Sequence, residues 1–343
     1  MKLVSYASGS AKPVGILIEN RIYPLKQTAA LAGIDAAETM RELLMGEEKA
    51  METAREVERK ILEGKIEGSF LVQDQACLLA PVPEPTSCRD GYAFRQHVAA
   101  ARRNRKVEMI PEFDEYPIFY FTNHNAIQGP GDIWCMPDHF RQLDFELEVA
   151  VVIGKRGKNI KAADADKYVA GYMIMNDMSA RTLQMEEMKL NLGPAKGKDF
   201  STVIGPWLVT PDELQSSKVA AKTGHTGDRY DLEMKCFVNG VQVSHGNVAQ
   251  MDWTFAEIIE RCAYGADILP GDVIGSGTVG TGCFLELNGT GLLNDSAYQP
   301  QWLKDGDVVE MTVSGLGRLS NTIRRVETDF SILALKKKPE GVS

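Results

Sequence analysis

The sequence predicts a β-rich α+β fold in two parts: a small N-terminal α/β domain over residues 1–72, a meander plus helices, and a larger strand-dominated domain over 73–343. Three observations predict it. Short apolar runs alternate with Gly, Pro and Asp clusters through most of the chain, the punctuation of strands and turns. One stretch near the N-terminus changes to a helical period. Pro81, Pro83 and Pro85 then interrupt the chain, because proline donates no ladder hydrogen bond and restricts the residue before it.

Taken in order, Lys2 to Leu25 carries apolar runs (Leu3, Val4; Val14 to Ile18; Ile22, Tyr23) separated by polar residues, which predicts an antiparallel meander acting as a cap. From Asp35 to Leu62, Ala36, Met40, Leu43, Leu44, Met51, Val57 and Ile61 recur at helical spacing. Asp90 to Arg105 reads as a capped helix. Strands are expected over 145–153, 203–209, 233–243, 272–275, 283–288 and 307–313. No repeat with a period of about 20 to 50 residues is present, which excludes solenoids.

Lys and Arg number 38 against 47 Asp and Glu, a net charge of −9, which disfavours a nucleic-acid partner bound through its phosphates. The basic groups Arg102, Arg103, Arg105, Lys106 and Lys336 to Lys338 read as solvated faces or tails, although the first suits a substrate carboxylate. No apolar run is long enough to span a membrane. Six scattered cysteines without a C-x-x-C pair, and a start without an apolar leader segment, point to a reducing, cytoplasmic setting. Asn288-Gly289-Thr290 is accordingly read as a turn and not as a glycosylation site.

The chemistry is concentrated around one strand, Leu143 to Ile153. Its alternation places Glu146 and Glu148 on one face with Asp144 and Ala150, and Phe145, Leu147 and Val149 on the other. An edge strand with one wet side would look the same. A second apolar run, Tyr172 to Met175, ends directly in Asn176-Asp177 and is followed by Ser179, Arg181 and Gln184. Carboxylates gathered at strand ends, without cysteine or histidine at ligand spacing, suit a hard cation such as Mg²⁺, Mn²⁺ or Ca²⁺.

Glu146-x-Glu148, Asn176-Asp177-x-Ser179-Ala180-Arg181-x-x-Gln184 and Gly197-Lys198-x-Phe200 together resemble the fumarylacetoacetate hydrolase family, in its order and at nearly its spacings, over about residues 75–330. The resemblance implies a mixed β-roll catalytic domain and a homodimer. It implies a divalent cation, Mg²⁺ foremost, held by Asp90, Glu146, Glu148 and Asp177, with Lys198 and Thr202 close to it. By the same resemblance His97, in Arg95-Gln96-His97, is the general base, and Glu286, in Cys283-Phe284-Leu285-Glu286-Leu287, orients it. An imidazole suits that task because its reference pKa of about 6.5 lies near working pH. Arg181, Gln184 and Lys198 would hold a developing oxyanion. Tyr92, Tyr120, Thr278 and either Arg105 or Lys106 match substrate-contacting positions. His124, His139, His225 and His245 have no such context and read as surface or structural residues.

The expected activity is metal-dependent hydrolysis of a carbon–carbon bond in a small 1,3-diketo or acylpyruvate-type acid, as in aromatic catabolism, with an enolate leaving group that the metal stabilises. The alternatives on the same site are decarboxylation of an oxaloacetate-type acid, or isomerisation or hydration of an unsaturated keto diacid. Met178 replaces the tryptophan usual in the family's Asn-Asp-Trp-Ser motif, which predicts a differently shaped pocket. Gly275-Ser276-Gly277-Thr278-Val279-Gly280 also satisfies the dinucleotide fingerprint. With a strand expected from Thr281 to Leu287 its context is wrong, and the glycines read as turns and close packing.

Overall fold

A computed structural model describes residues 1–337; Lys338, the last of the basic run near the C-terminus, lies outside the described residues. One large mixed sheet carries the site. Its strands run in the spatial order Leu71–Val72, Arg21–Pro24, Val14–Ile18, Lys2–Ser5, Thr202–Val209, Val169–Asp177, Leu147–Ile153, Val273–Gly275, Cys88–Gly91 and Phe119–Thr122. Neighbours are antiparallel except that Val273–Gly275 runs parallel to Cys88–Gly91, and the short Ile127–Gln128 parallel to Thr202–Val209. The predicted meander is present, and Leu3 pairs with Leu208, so the N-terminal strands extend the catalytic sheet itself.

Two cores flank this sheet. Val149, Val151, Ile153, Tyr172 and Ile174 face a five-stranded second sheet, through Met234, Val309, Met311 and Leu319, and the helix Phe255–Ala263. Ala150, Val152, Met173, Met175 and Ile204 face the N-terminal segment, through Leu3, Met40, Leu43 and Val57. Leu147–Ile153 is therefore a central strand, paired on both sides and buried on both faces, and not a wet edge. Near-continuous apolar sequence follows from that position. A charge there, Glu148 at 0% exposure, then requires a specific partner.

Four sequence expectations are corrected. The helical stretch 35–62 is two helices, Met40–Met45 and Glu47–Leu62, joined at Gly46. Residues 233–243 are a hairpin, Glu233–Val238 and Val241–Asn247, turning at Asn239 and Gly240. Asp90 lies on the strand Cys88–Gly91, and the helix begins only at Arg95, where the Asp252 carboxylate accepts from the Arg95 backbone N–H at 2.9 Å. Residues 283–288 are not a strand but open the helix Phe284–Asn294. Here tertiary contact overrides local alternation: the buried Asp144 carboxylate accepts from the backbone N–H groups of Phe284 (2.8 Å) and Leu285 (2.9 Å), which a helix start leaves unpaired.

Candidate active site

Four buried carboxylates, Asp90, Glu146, Glu148 and Asp177, offer oxygens that all lie within 4.8 Å of one another. Sheet register brings them together: Glu148 sits beside Met175 near the end of the strand that finishes in Asp177, and Asp90 faces Gly275 one strand beyond. A Cβ at Gly275 would collide with the Asp90 carboxylate, and the Gly277 N–H donates to it at 3.0 Å. One at Gly280 would strike the Gln96 side chain beside His97. The fingerprint-like glycines therefore form a cradle for the site. A helix does follow them, contrary to expectation, but the strand before it runs antiparallel to its neighbour Leu147–Ile153, and the next long strand, Val308–Val313, belongs to the second sheet, so no βαβ unit exists.

The cluster is short of positive charge. Burial, and then the Asp177 charge, push the Asp90 carboxyl up to about 7. Glu148 is raised well above the usual range by burial and by Asp90 and Glu146, and Asp177 is raised chiefly by burial. Glu146 behaves oppositely: burial would raise it, but Lys198 and Arg181 hold it at about 2. Lys198 donates to Glu146 and, at 2.8 Å, to Asp177, and these anions overcome burial to keep its ammonium charged. Tyr120 donates its hydroxyl to Asp177, and the Thr278 hydroxyl donates to Glu148 at 3.3 Å. Yet Glu148 Oε2 and Asp177 Oδ1 are buried without any hydrogen-bond partner among the described residues. Orphaned carboxyl oxygens converging with two further carboxylates, all hard donors, are what a divalent cation of the Mg²⁺ or Mn²⁺ type requires. Thr202 is buried directly across the ladder from Asp177.

Beside this cluster His97 Nδ1 lies 2.6 Å from Glu286 Oε2, both side chains buried. The second Glu286 oxygen accepts from the Thr281 N–H at 3.0 Å. Glu286 was expected on a strand; from the first turn of its helix it reaches the same histidine. Tyr92 meets the His97 ring edge-on at 5.9 Å between centroids. Burial raises the Tyr92 hydroxyl, while the Arg105 and Arg102 charges oppose the rise. Arg105 and Lys106 are both exposed. The other histidines pair elsewhere: His225 with Glu257, His245 with Glu233, and His139 against Phe200, where burial lowers it to about 4. His124 is exposed.

Arg181 shares a helix face with Gln184, as the spacing predicts, and donates to it at 3.0 Å. Its other bonds go to Asp144 (2.8 Å) and Glu146 (2.8 Å). Asp144 is the residue that sequence reasoning passed over. One buried carboxylate joins the start of the Glu286 helix to Arg181, which in turn holds Glu146, so it ties base and carboxylate cluster together. The available signal was an acid on the same alternating face as Glu146 and Glu148. Asp144→Ala takes one carboxylate from the buried Arg181 guanidinium and the acceptor from three backbone N–H groups, those of Phe145, Phe284 and Leu285, and is expected to cost about 3–5 kcal/mol, with Asp144→Asn recovering part, as urea unfolding will measure.

The family described as "Fumarylacetoacetate (FAA) hydrolase C-terminal" matches residues 86–324. The rat protein named oxaloacetate tautomerase Fahd2a, mitochondrial, is 32% identical over 277 residues, covering 79% of this chain and 76% of that one. Oxaloacetate tautomerase YisK of Bacillus subtilis is 31% identical over 263 residues, 75% of this chain and 76% of its own. Among solved structures, maleylpyruvate hydrolase from Sphingobium sp. SYK-6, in complex with manganese (II) ion and pyruvate, superposes with a TM-score of 0.67 at 20% identity, over 95% of this chain and 100% of that one, a likeness of fold. Among the described residues no helix is long and apolar enough to cross a membrane. The family match over most of the chain agrees with the motifs and the assembled carboxylates, and this chain belongs to the fumarylacetoacetate hydrolase family of enzymes.

Proposed function

We propose that the chain is a divalent-cation-dependent enzyme that moves a proton on a small 2-oxo dicarboxylate, interconverting keto and enol forms of an oxaloacetate-type acid. The buried His97–Glu286 pair beside the carboxylate cluster carries this reading, and the similarity to two oxaloacetate tautomerases supports it. Asp90, Glu146, Glu148 and Asp177 would hold the cation, which when bound would polarise the 2-oxo group and acidify the neighbouring C–H. Glu286 fixes the proton on Nδ1, so Nε2 is free to take a proton from the substrate carbon and return it to the enol oxygen, or the reverse. Lys198, Gln184 and Arg181 supply donors beside the developing negative oxygen. Tyr92, Tyr120, Thr278 and Arg105 or Lys106 would orient the substrate, the basic residue by pairing with its distal carboxylate. A homodimer in the cytoplasm completes the proposal.

A second reading, hydrolysis of a carbon–carbon bond in an acylpyruvate or fumarylpyruvate-type acid, is favoured by the same pair, since an imidazole oriented by a carboxylate also activates water. A substrate panel with Mg²⁺ or Mn²⁺, and again with EDTA, separates the two. Accelerated decay of enol absorbance from oxaloacetate, with no change of mass, is the expected result. Water-derived ¹⁸O in a released carboxylate assigns hydrolysis instead, and metal-dependent CO₂ release alone assigns decarboxylation and sinks both.

A further inference from the structure

Next to the carboxylates, and sharing one of them, is a second group of ligating atoms. A ring nitrogen of His97, a carboxylate oxygen of Glu146 and the sulfur of Cys283 lie within 4.8 Å of one another, and all three residues are buried. Its chemistry differs from that of its neighbour. Four carboxylates suit a hard cation, whereas imidazole and thiol with one carboxylate suit a borderline-soft one.

Two features prepare these groups. Glu286 holds His97 Nδ1 at 2.6 Å, the outer carboxylate that fixes the tautomer of metal-ligating histidines and strengthens them as donors. Cys283 is the N-cap of the eleven-residue helix Phe284–Asn294, its sulfur accepting from the Glu286 N–H at 3.5 Å, and a helix start favours a thiolate. Among the described residues that backbone N–H is the sulfur's only hydrogen-bond partner. Burial and the Asp144 charge push the thiol well above its usual range.

We propose that His97, Cys283 and Glu146 form a second cation site that prefers Zn²⁺ to Mg²⁺, and that its occupation switches the enzyme off by taking the imidazole. On binding, the Cys283 S–H bond breaks, its electron pair goes to the zinc, and the proton leaves to solvent; no oxidant or reductant takes part. Glu146 is common to both sites; its two oxygens already accept from Arg181 and Lys198, and each keeps a further lone pair for a cation. The inhibitory half rests on His97 being the working base; the binding half does not.

The test loads the full chain with saturating Mg²⁺ and titrates it with Co²⁺, then with Zn²⁺. One further equivalent of Co²⁺ is expected per chain, with a thiolate-to-cobalt charge-transfer band that Zn²⁺ displaces. The band is lost in both Cys283→Ser and Cys283→Ala, and Glu286→Gln weakens the second site by about 10–100-fold. Half-inhibition of wild-type turnover by Zn²⁺ shifts at least about tenfold upward in the Cys283 variants, each referred to its own uninhibited rate. A cobalt spectrum without a sulfur band in the wild type, or equal occupancy in both Cys283 variants, overturns the site. A sulfur band with turnover untouched by Zn²⁺ keeps the site and overturns both the inhibition and the assignment of His97 as base.

Discussion

His97→Ala is expected to lower kcat by ~10²–10⁴-fold while leaving the fold and the affinity of the carboxylate cluster for its cation in place. His97 is the proposed base and stands outside the four clustered carboxylates, and with it gone Glu286 keeps its Thr281 N–H partner. Glu286→Gln should act in the same direction, because an amide that donates to Nδ1 leaves the proton on Nε2, the wrong tautomer for a base. Steady-state kinetics beside circular dichroism and cation titration make the measurement. Turnover preserved in His97→Ala would mean that the cation alone suffices, as in a simple decarboxylation, and would remove the proton-transfer proposal.

The stability gained from the divalent cation should grow as pH rises through about 7. Asp90, raised to about 7, and Glu148 and Asp177, raised in the same direction, bind protons in the metal-free fold that they would release when unfolded. Stability falls with rising pH wherever the folded state holds more protons, so the metal-free protein weakens between the ordinary aspartate range near 4 and about 7. Glu146, held at about 2, acts in the opposite sense, but its contribution is lost only on acidification below its ordinary 4.5, outside this window. A bound cation replaces the missing protons and stabilises by ~2.7 kcal/mol at a concentration a hundred times its Kd. Paired melts with Mg²⁺ and with EDTA should therefore converge near pH 5 and separate near pH 8. A gap independent of pH would show that the cation binds elsewhere.

What was legible in the sequence was periodic or local. Glu148 stands out because it interrupts an otherwise apolar strand, Glu146 because it keeps the same alternation although the strand begins only at Leu147, one residue after it, and Asp177 because an apolar run ends in it. Asp90, His97 and Glu286 came through family resemblance, and Glu286 was identified on the wrong element. The alternation of Cys283 to Leu287 favoured a strand until Asp144, from 140 residues earlier, supplied the acceptors that start a helix. The same distance hides Asp144 itself, whose partners lie 37 and 140 residues along the chain. Cys283 looked like one of six scattered thiols; only the fold puts it beside His97 and Glu146.

The pairing of Lys2 with Val209 has a consequence for biogenesis. The first strand leaves the ribosome long before its partner exists, and at roughly 5–20 residues per second the wait is on the order of ten to forty seconds. During that time Lys2–Ser5 can pair only with its own hairpin, and its outer ladder stays open to any passing strand. The helices Met40–Met45 and Glu47–Leu62 come from residues made soon afterwards, and in the finished fold they cover one apolar face of that sheet. The N-terminal strand is thus made first and seated last, since its outer ladder closes only when Thr202–Val209 exists.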